Sequence, residues 1–430
     1  MMNKFIIAGS FMLTGFVATA QKNLDKIINV AEVERIERVL AADDMKGRKT
    51  FSPEIDKAAD FIAAEFKKAG LQYFNGLTSY KQSFNMAKAK QVSASAEIDG
   101  KVLPVDDFVA ITKQANLKFN EKSVFKIVVI DSAAKSFSKV GALLDAKENT
   151  LVLVDPAHAK NLARLKRIGG REGFTGKPSV VFALTTNTAP AKYSFDIVNE
   201  ITSSNLANVI GILPGKSKKE ELVIFSGHYD HIGIGKPTAE GDSIYNGAND
   251  DAAGTTAVMM LANYFAKEKN NERTLVFVAF TAEEIGGFGS QYFSQQIDAD
   301  KTIAMFNIEM IGTESKWGKN SAFITGYEKS DFGKILQGNL TGSQFKFEPD
   351  PYPKQNLFYR SDNATLAALG VPAHTISTSK MDTEKYYHTA DDEIETLDMA
   401  NMTEIIKAIA ISSKGIVSGK ETPIRVEKIK

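Results

Sequence analysis

Apolar residues return every three or four positions through Ile27, Ile28, Val30, Val33, Ile36 and Leu40, and again through Ala58, Ile62, Phe66 and Leu71. That spacing predicts two amphipathic helices joined by a linker at 43–53, with Gly70 as the stop signal of the second. From about 85 to 200 the texture changes to short apolar runs at 125–130, 150–154 and 179–183 between clusters of Gly, Lys and Asn, the mark of short strands. From about 205 a regular alternation begins. The stretches 208–213, 222–225, 274–280, 302–308, 321–325 and 373–377 read as strands, with helical segments between several of them, most clearly at 252–267. Strands alternating with helices predict an α/β fold: a mostly parallel mixed sheet flanked by helices on both faces, here with a smaller inserted subdomain. The expected division is a discontinuous catalytic domain of 21–84 and 200–430 around an insertion at 85–199.

Composition narrows the chemistry. The 430 residues include no cysteine, which excludes disulfide scaffolds, thiol nucleophiles, iron–sulfur clusters and thiolate-bound zinc. Any metal site must therefore use histidine and carboxylate, and the five histidines are His158, His228, His231, His374 and His388. Lys and Arg (52) balance Asp and Glu (52), so no bulk charge points to a nucleic-acid partner. Residues 1–20 carry Lys4, then an apolar run, then Ala18-Thr19-Ala20, the pattern of a cleavable signal peptide. The run of about 14 residues is shorter than the roughly 20 a spanning helix needs, so no stable membrane insertion is expected and the mature protein is expected to be secreted or periplasmic.

The polar chemistry collects after the strands. The 222–225 run leads into His228-Tyr229-Asp230-His231, 274–280 into Thr281-Ala282-Glu283-Glu284, and 302–308 into Glu309-Met310-Ile311-Gly312. Asn249-Asp250-Asp251 opens the 252–267 helix, and Tyr386-Tyr387-His388 follows the last strand. Each piece alone is ordinary, since a Glu pair usually starts a solvated helix and an Asp pair usually caps one. Together they fall on the carboxyl rim of the sheet, where ligands of such folds bind. They offer two histidines and at least three carboxylates, enough for two metals sharing one bridging Asp. Gly286-Gly287-Phe288-Gly289 lacks the Gly-Lys-Ser/Thr of a phosphate cradle, and no Gly-x-Ser-x-Gly elbow marks a serine nucleophile. His158 and His374 read as structural.

The set His228-Tyr229-Asp230-His231, Asn246-Gly247-Ala248-Asn249-Asp250-Asp251-Ala252-Ala253-Gly254, Thr281-Ala282-Glu283-Glu284-Ile285-Gly286, Asn307-Ile308-Glu309-Met310-Ile311-Gly312 and Tyr387-His388-Thr389 resembles the co-catalytic dizinc exopeptidases, metallopeptidase family twenty-eight. That family includes secreted bacterial leucine aminopeptidases and glutamate carboxypeptidase. The resemblance covers about 200–400, and the segment 43–70, with its Gly47-Arg48 turn, resembles the family's helical lead-in. It implies two zinc ions, with Asp250 bridging, Glu284 and His388 completing one position, and His228 and Glu309 the other. It further implies Glu283 as general base, Asp230 as the partner orienting His228, Asp392 as a partner of His388, and Tyr387 as the phenol that stabilises the oxyanion, for which its neighbour Tyr386 is an equally available phenol. One ligand departs from the pattern, since family members usually carry Asp where this chain has Glu309; away from the ligands, Ala253 replaces a common Ser. The extra methylene shifts the carboxylate by roughly 1.5 Å, so the expectation is a weakened second position that Asp would tighten.

The activity implied is that of a secreted zinc aminopeptidase, cleaving amino-terminal peptide bonds of peptide substrates through a metal-bridging hydroxide. Two alternatives stay open at this point. One is a carboxypeptidase or glutaminyl cyclase of the same fold. The other is a non-catalytic binding protein on that scaffold, against which the retention of Glu283 argues.

Overall fold

The computed structural model describes residues 23–133 and 140–429; the leader-like stretch 1–20 lies outside them. The described chain forms two compact units, Phe84–Asn205 and the remainder on either side of it.

In the larger unit, a mixed and mostly parallel sheet runs in the order Lys346–Pro349, Ser321–Ile324, Ala373–Ser377, Thr302–Ile308, Lys218–His228, Arg273–Phe280 and the distal part of Tyr193–Leu213. Lys218–His228 is parallel to both Thr302–Ile308 and Arg273–Phe280, and Thr302–Ile308 is parallel to Ala373–Ser377. Every residue of Arg273–Phe280 is buried, which is why this strand reads as a continuous apolar run rather than an alternating one. One layer of helices consists of Val30–Leu40, Pro53–Ala69, Ala253–Glu268 and Met399–Ser412, whose apolar residues share a single core with Phe225, Phe277 and Phe306. A second core covers the opposite face, built on Ile224, Val276, Val278 and Met305 with Phe293 and Leu366.

Local chemistry sets the helix ends. Asn29 accepts from the Glu32 N–H and Ser52 from the Ile55 N–H, Pro53 occupies the first turn, and Gly70 closes its helix in the left-handed conformation. Ala253–Glu268 is almost wholly buried because it packs directly under the strand ends. Gly254 permits that approach: a Cβ there would stand 2.0 Å from the Ile308 carbonyl oxygen.

The unit Phe84–Asn205 contains a four-stranded sheet in the order Phe108–Ile111, Val180–Leu184, Thr150–Val154, Lys126–Ile130. Alternate residues of Thr150–Val154 enter different cores, Leu151 and Leu153 on one side and Val152 and Val154 on the other. Phe119 stacks between Phe125 and Phe195, with centroids 3.9 and 4.8 Å away.

Candidate metal centre

Strand register brings the rim together. His228 pairs with Phe280, and Ser226 with Asn307, so His228, the Thr281–Glu284 turn and Glu309 leave three neighbouring parallel strands at one level. Asp251 locks this arrangement. Its buried carboxylate accepts the backbone N–H of His228 (3.1 Å), Gly254 (3.0 Å) and Met310 (3.1 Å), joining two strand ends to the first turn of the helix. Asp392 accepts from the N–H groups of Asn249 and Asp250 at 2.9 and 3.0 Å and so fixes the backbone that carries Asp250. The fully buried Arg48 donates to the carbonyls of Tyr229, Leu40, Asn246 and Gly247, tying the histidine loop to the Asp250 loop. A guanidinium suits this task because its fork of donors reaches several carbonyls at once.

Asp250 stands between two groups of donor atoms. Its Oδ1 is 3.2 Å from His228 Nε2, while its Oδ2 is 3.2 Å from His388 Nε2 and 3.9 Å from His231 Nδ1. Glu284 completes the second group, with Oε2 3.1 Å from His388 Nε2 and Oε1 2.8 Å from His231 Nδ1. Two clusters result, His231–Asp250–Glu284–His388 and His228–Asp250–Glu309, each with donor atoms within 4.8 Å of one another. The residues assigned to the two positions by resemblance thus converge around Asp250, and His231 joins them.

These close approaches are not aligned as hydrogen bonds. His228 Nε2, His231 Nδ1, His388 Nε2, Asp250 Oδ2, Glu284 Oε1 and Glu309 Oε2 are buried and lack a hydrogen-bond partner. Buried polar atoms left in that state cost about 1–3 kcal/mol each, and a ligand set is the arrangement that accounts for several converging at once. The 3.1–3.2 Å N···O separations also approach the roughly 3.3 Å edge of a tetrahedron built on bonds of about 2.0 Å. Imidazole nitrogen and carboxylate oxygen are zinc donors. The residues therefore fit the metal. His228 presents Nε2 because Nδ1 is occupied, 3.0 Å from the Asp230 backbone oxygen, to which its N–H donates.

Electrostatics agree. Burial works against a charged His388, yet Asp250 and Glu284 outweigh it and push it up to about 10. Burial likewise opposes the charge of His228, and Asp250 overrides it to hold the imidazole well above its ordinary range. Burial would raise Asp250, but the facing imidazoles of His228 and His388 keep it far below the usual carboxylate range. Such a cluster calls for positive charge at its centre. Glu283 differs: burial, reinforced by the charges of Glu309, Asp362 and Glu284, pushes it well up against the opposing pull of His228. Its backbone oxygen accepts from Gly286 and Gly287, so the glycine-rich stretch wraps back onto this turn instead of cradling a phosphate.

Beside the cluster lies a cleft bounded by Asp250, Glu283 and Glu309. Met310, Phe323, Leu357 and Met381 give it an apolar wall, Arg360 adds a cation, and the Tyr387 phenol faces it. The Tyr387 ring stacks on His388 with centroids 3.8 Å apart, and partial desolvation together with the neighbouring carboxylates, Asp250 first, raises the pKa of its hydroxyl.

Two details correct the reading of the sequence. The Asp230 carboxylate lies 3.8 Å from His228 Nδ1, and it is the backbone oxygen of Asp230 that orients the ring. The carboxylate is engaged by the N–H groups of Glu283 and Glu284 and by the Thr50 hydroxyl. Asp392 serves the Asp250 backbone instead of His388, because its two oxygens are taken by main-chain donors. Glu309 offers a carboxylate oxygen within 4.8 Å of donor atoms of His228 and Asp250. Asp251, Arg48 and His231 were not assigned from the sequence. The signal for His231 was present in its place three residues after His228 on the same rim loop.

The sheet is thus covered on both faces and carries a histidine–carboxylate donor set at its parallel strand ends. Residues 208–412 match the family model described as "Peptidase family M28", the family that the motifs of this chain resemble. It is 22% identical over 236 residues to aminopeptidase YwaD of Bacillus subtilis, covering 53% of this chain and 48% of that protein. A probable leucine aminopeptidase of Trichophyton verrucosum is 30% identical over 214 residues, 47% of this chain and 54% of that protein. The chain thus spans about half the length of the curated relatives it matches. Among solved structures, the aminopeptidase from Aneurinibacillus sp. strain AM-1 superposes with a TM-score of 0.54 at 17% identity, covering 95% of this chain and 97% of the other. A peptidase M28 precursor from Shewanella amazonensis gives 0.55 at 16% identity, covering 96% and 99%. At these identities the superpositions establish the shared fold.

Proposed function

We propose that the protein is a zinc-dependent aminopeptidase that removes residues from the free amino terminus of peptides. The observation that carries this reading is the convergence of His228, His231, His388, Asp250, Glu284 and Glu309 with their lone-pair atoms unsatisfied, beside a carboxyl group, Glu283, that belongs to neither donor cluster. Two zinc ions held by these residues would supply Lewis acidity and bring the pKa of water down towards 7. Glu283, held high in pKa by burial and by its acidic neighbours, takes a proton from the attacking water and returns it to the leaving amine. Tyr387, protonated and facing the cleft, donates to the oxyanion as the carbonyl becomes tetrahedral. The apolar wall of the cleft receives a substrate side chain, and carboxylate edges near Glu283 receive the free ammonium group. The leader-like pattern of residues 1–20 supports action outside the cytoplasm. Among the described residues, no helix is long and apolar enough to cross a membrane.

One observation favours a second reading: Arg360 lines the same cleft and offers a partner for a substrate carboxylate, as a carboxypeptidase needs. Elemental analysis together with chelation and add-back tests the primary reading. It predicts two zinc ions per chain, loss of amino-acyl amide hydrolysis on chelation, and recovery with zinc. A metal-free protein with undiminished activity would refute it.

A further inference from the structure

Apart from His231, each of the residues that converge on the centre has a role assigned by the family resemblance. The His231 ring is fully buried, and neither of its nitrogens has a hydrogen-bond partner. Its Nδ1 is 2.8 Å from Glu284 Oε1 and 3.9 Å from Asp250 Oδ2. Those two oxygens are also without hydrogen-bond partners, so the short approach to Glu284 is not an N–H donated to a carboxylate. It is instead two lone-pair atoms pointed at one place. The His231 and His388 rings lie 5.5 Å apart at 73°, presenting two imidazoles to the same carboxylates from different directions.

The backbone makes room for this ring. Gly247 adopts φ +59°, and a Cβ there would stand 2.5 Å from His231 Cγ and 2.6 Å from Cδ2. The His231 N–H donates to the carbonyl of Arg48, the same residue whose guanidinium holds Tyr229 and Gly247. The ring is therefore fixed on both sides, as a ligand must be.

We propose that His231 is a fourth protein ligand of the metal position formed by Asp250, Glu284 and His388, and that the two positions are consequently unequal. The four-donor position would bind zinc more tightly than the three-donor one, because it offers one more protein ligand. The three-donor position of His228, Asp250 and Glu309 keeps a place open for water and substrate, as catalytic sites do. This rests on the zinc reading given above and deepens it by dividing the labour between the two positions.

The test is zinc affinity, measured by competition with a chromogenic chelator, on the full chain and on His231→Ala and His231→Asn. The wild type should show one tight and one weaker step. In both variants the tight step should weaken by more than about 100-fold, beyond what the loss of an outer hydrogen bond gives. The cobalt-substituted variants should show an altered visible spectrum. A weakening of less than about 10-fold with an unchanged cobalt spectrum would overturn the proposal and leave His231 as a positioning group. A diffraction structure of the zinc-loaded wild type decides without any variant: Nδ1 should lie about 2.1 Å from the ion, and a separation beyond about 3 Å would refute ligation. Two bound zinc ions with a distant His231 would sink this proposal alone, whereas a protein that binds no zinc would sink the functional reading with it.

Discussion

The backbone N–H of Glu283 donates to Asp230 Oδ1 at 3.0 Å. Through this bond the loop that carries His228 fixes the turn that carries Glu283 and Glu284, while the Asp230 main-chain oxygen sets the tautomer of His228. Asp230→Ala should therefore disturb positioning without removing a ligand. We expect kcat to fall by about 10–100-fold while bound zinc stays within experimental error of wild type. Unchanged kcat would show that the turn is held by its own hydrogen bonds alone.

Glu283 lies outside both donor clusters. Glu283→Gln should keep its metals and lose at least about 100-fold in turnover, the contribution of a general base. The comparison requires a metal-replete sample, and near-wild-type turnover in that sample would remove Glu283 from the proton-transfer role.

Glu309 reaches the donors of His228 and Asp250 from the end of Thr302–Ile308. Shortening it by one methylene withdraws the carboxylate by roughly 1.5 Å. Stepwise dialysis against a weak chelator should empty the His228/Glu309 position first in the native protein and still earlier in Glu309→Asp. Simultaneous loss of both metals from the native protein, or a tighter second metal in the variant, would contradict this account.

His374 offers a test of stability away from the metal residues. It is buried, with Nδ1 2.8 Å from the Thr325 carbonyl and Nε2 2.7 Å from the Ser330 hydroxyl, and burial lowers its pKa to about 4. The unfolded chain takes up this proton near pH 6.5, so between 6.5 and 4 the unfolded state binds more protons and stability falls as pH falls. The loss across that window is on the order of 3 kcal/mol, complete below about pH 4. Denaturation curves of wild type and His374→Asn should differ in their slope against pH within this window. Parallel curves would mean that the imidazole titrates normally in the folded protein.

Much of the architecture was legible because fully buried parallel strands write themselves as apolar runs. The residues of Arg273–Phe280 and Thr302–Ile308 are bounded by the polar clusters that carry the chemistry. The long strands Lys81–Ile98 and Tyr193–Leu213 were less legible, since their middle stretches are largely exposed and lack a period. At the site, residue types were legible and directions were not. Asp230, Asp251 and Asp392 are all buried acids beside the converging donor residues, but which backbone donors each one meets depends on how three loops converge. His231 turns inward because Arg48 and Gly247 shape its surroundings, and Arg48 lies some 180 residues away in sequence.

The most direct measurement of the central claim is the order of products from an unblocked peptide of mixed sequence, followed over time by mass spectrometry with the zinc-loaded protein and with an amino-acetylated copy of the same peptide. The account predicts a ladder shortened one residue at a time from the amino terminus, no cleavage of the acetylated copy, and no ladder after chelation. A ladder that shortens from the carboxyl terminus, or equal cleavage of the blocked peptide, would contradict it.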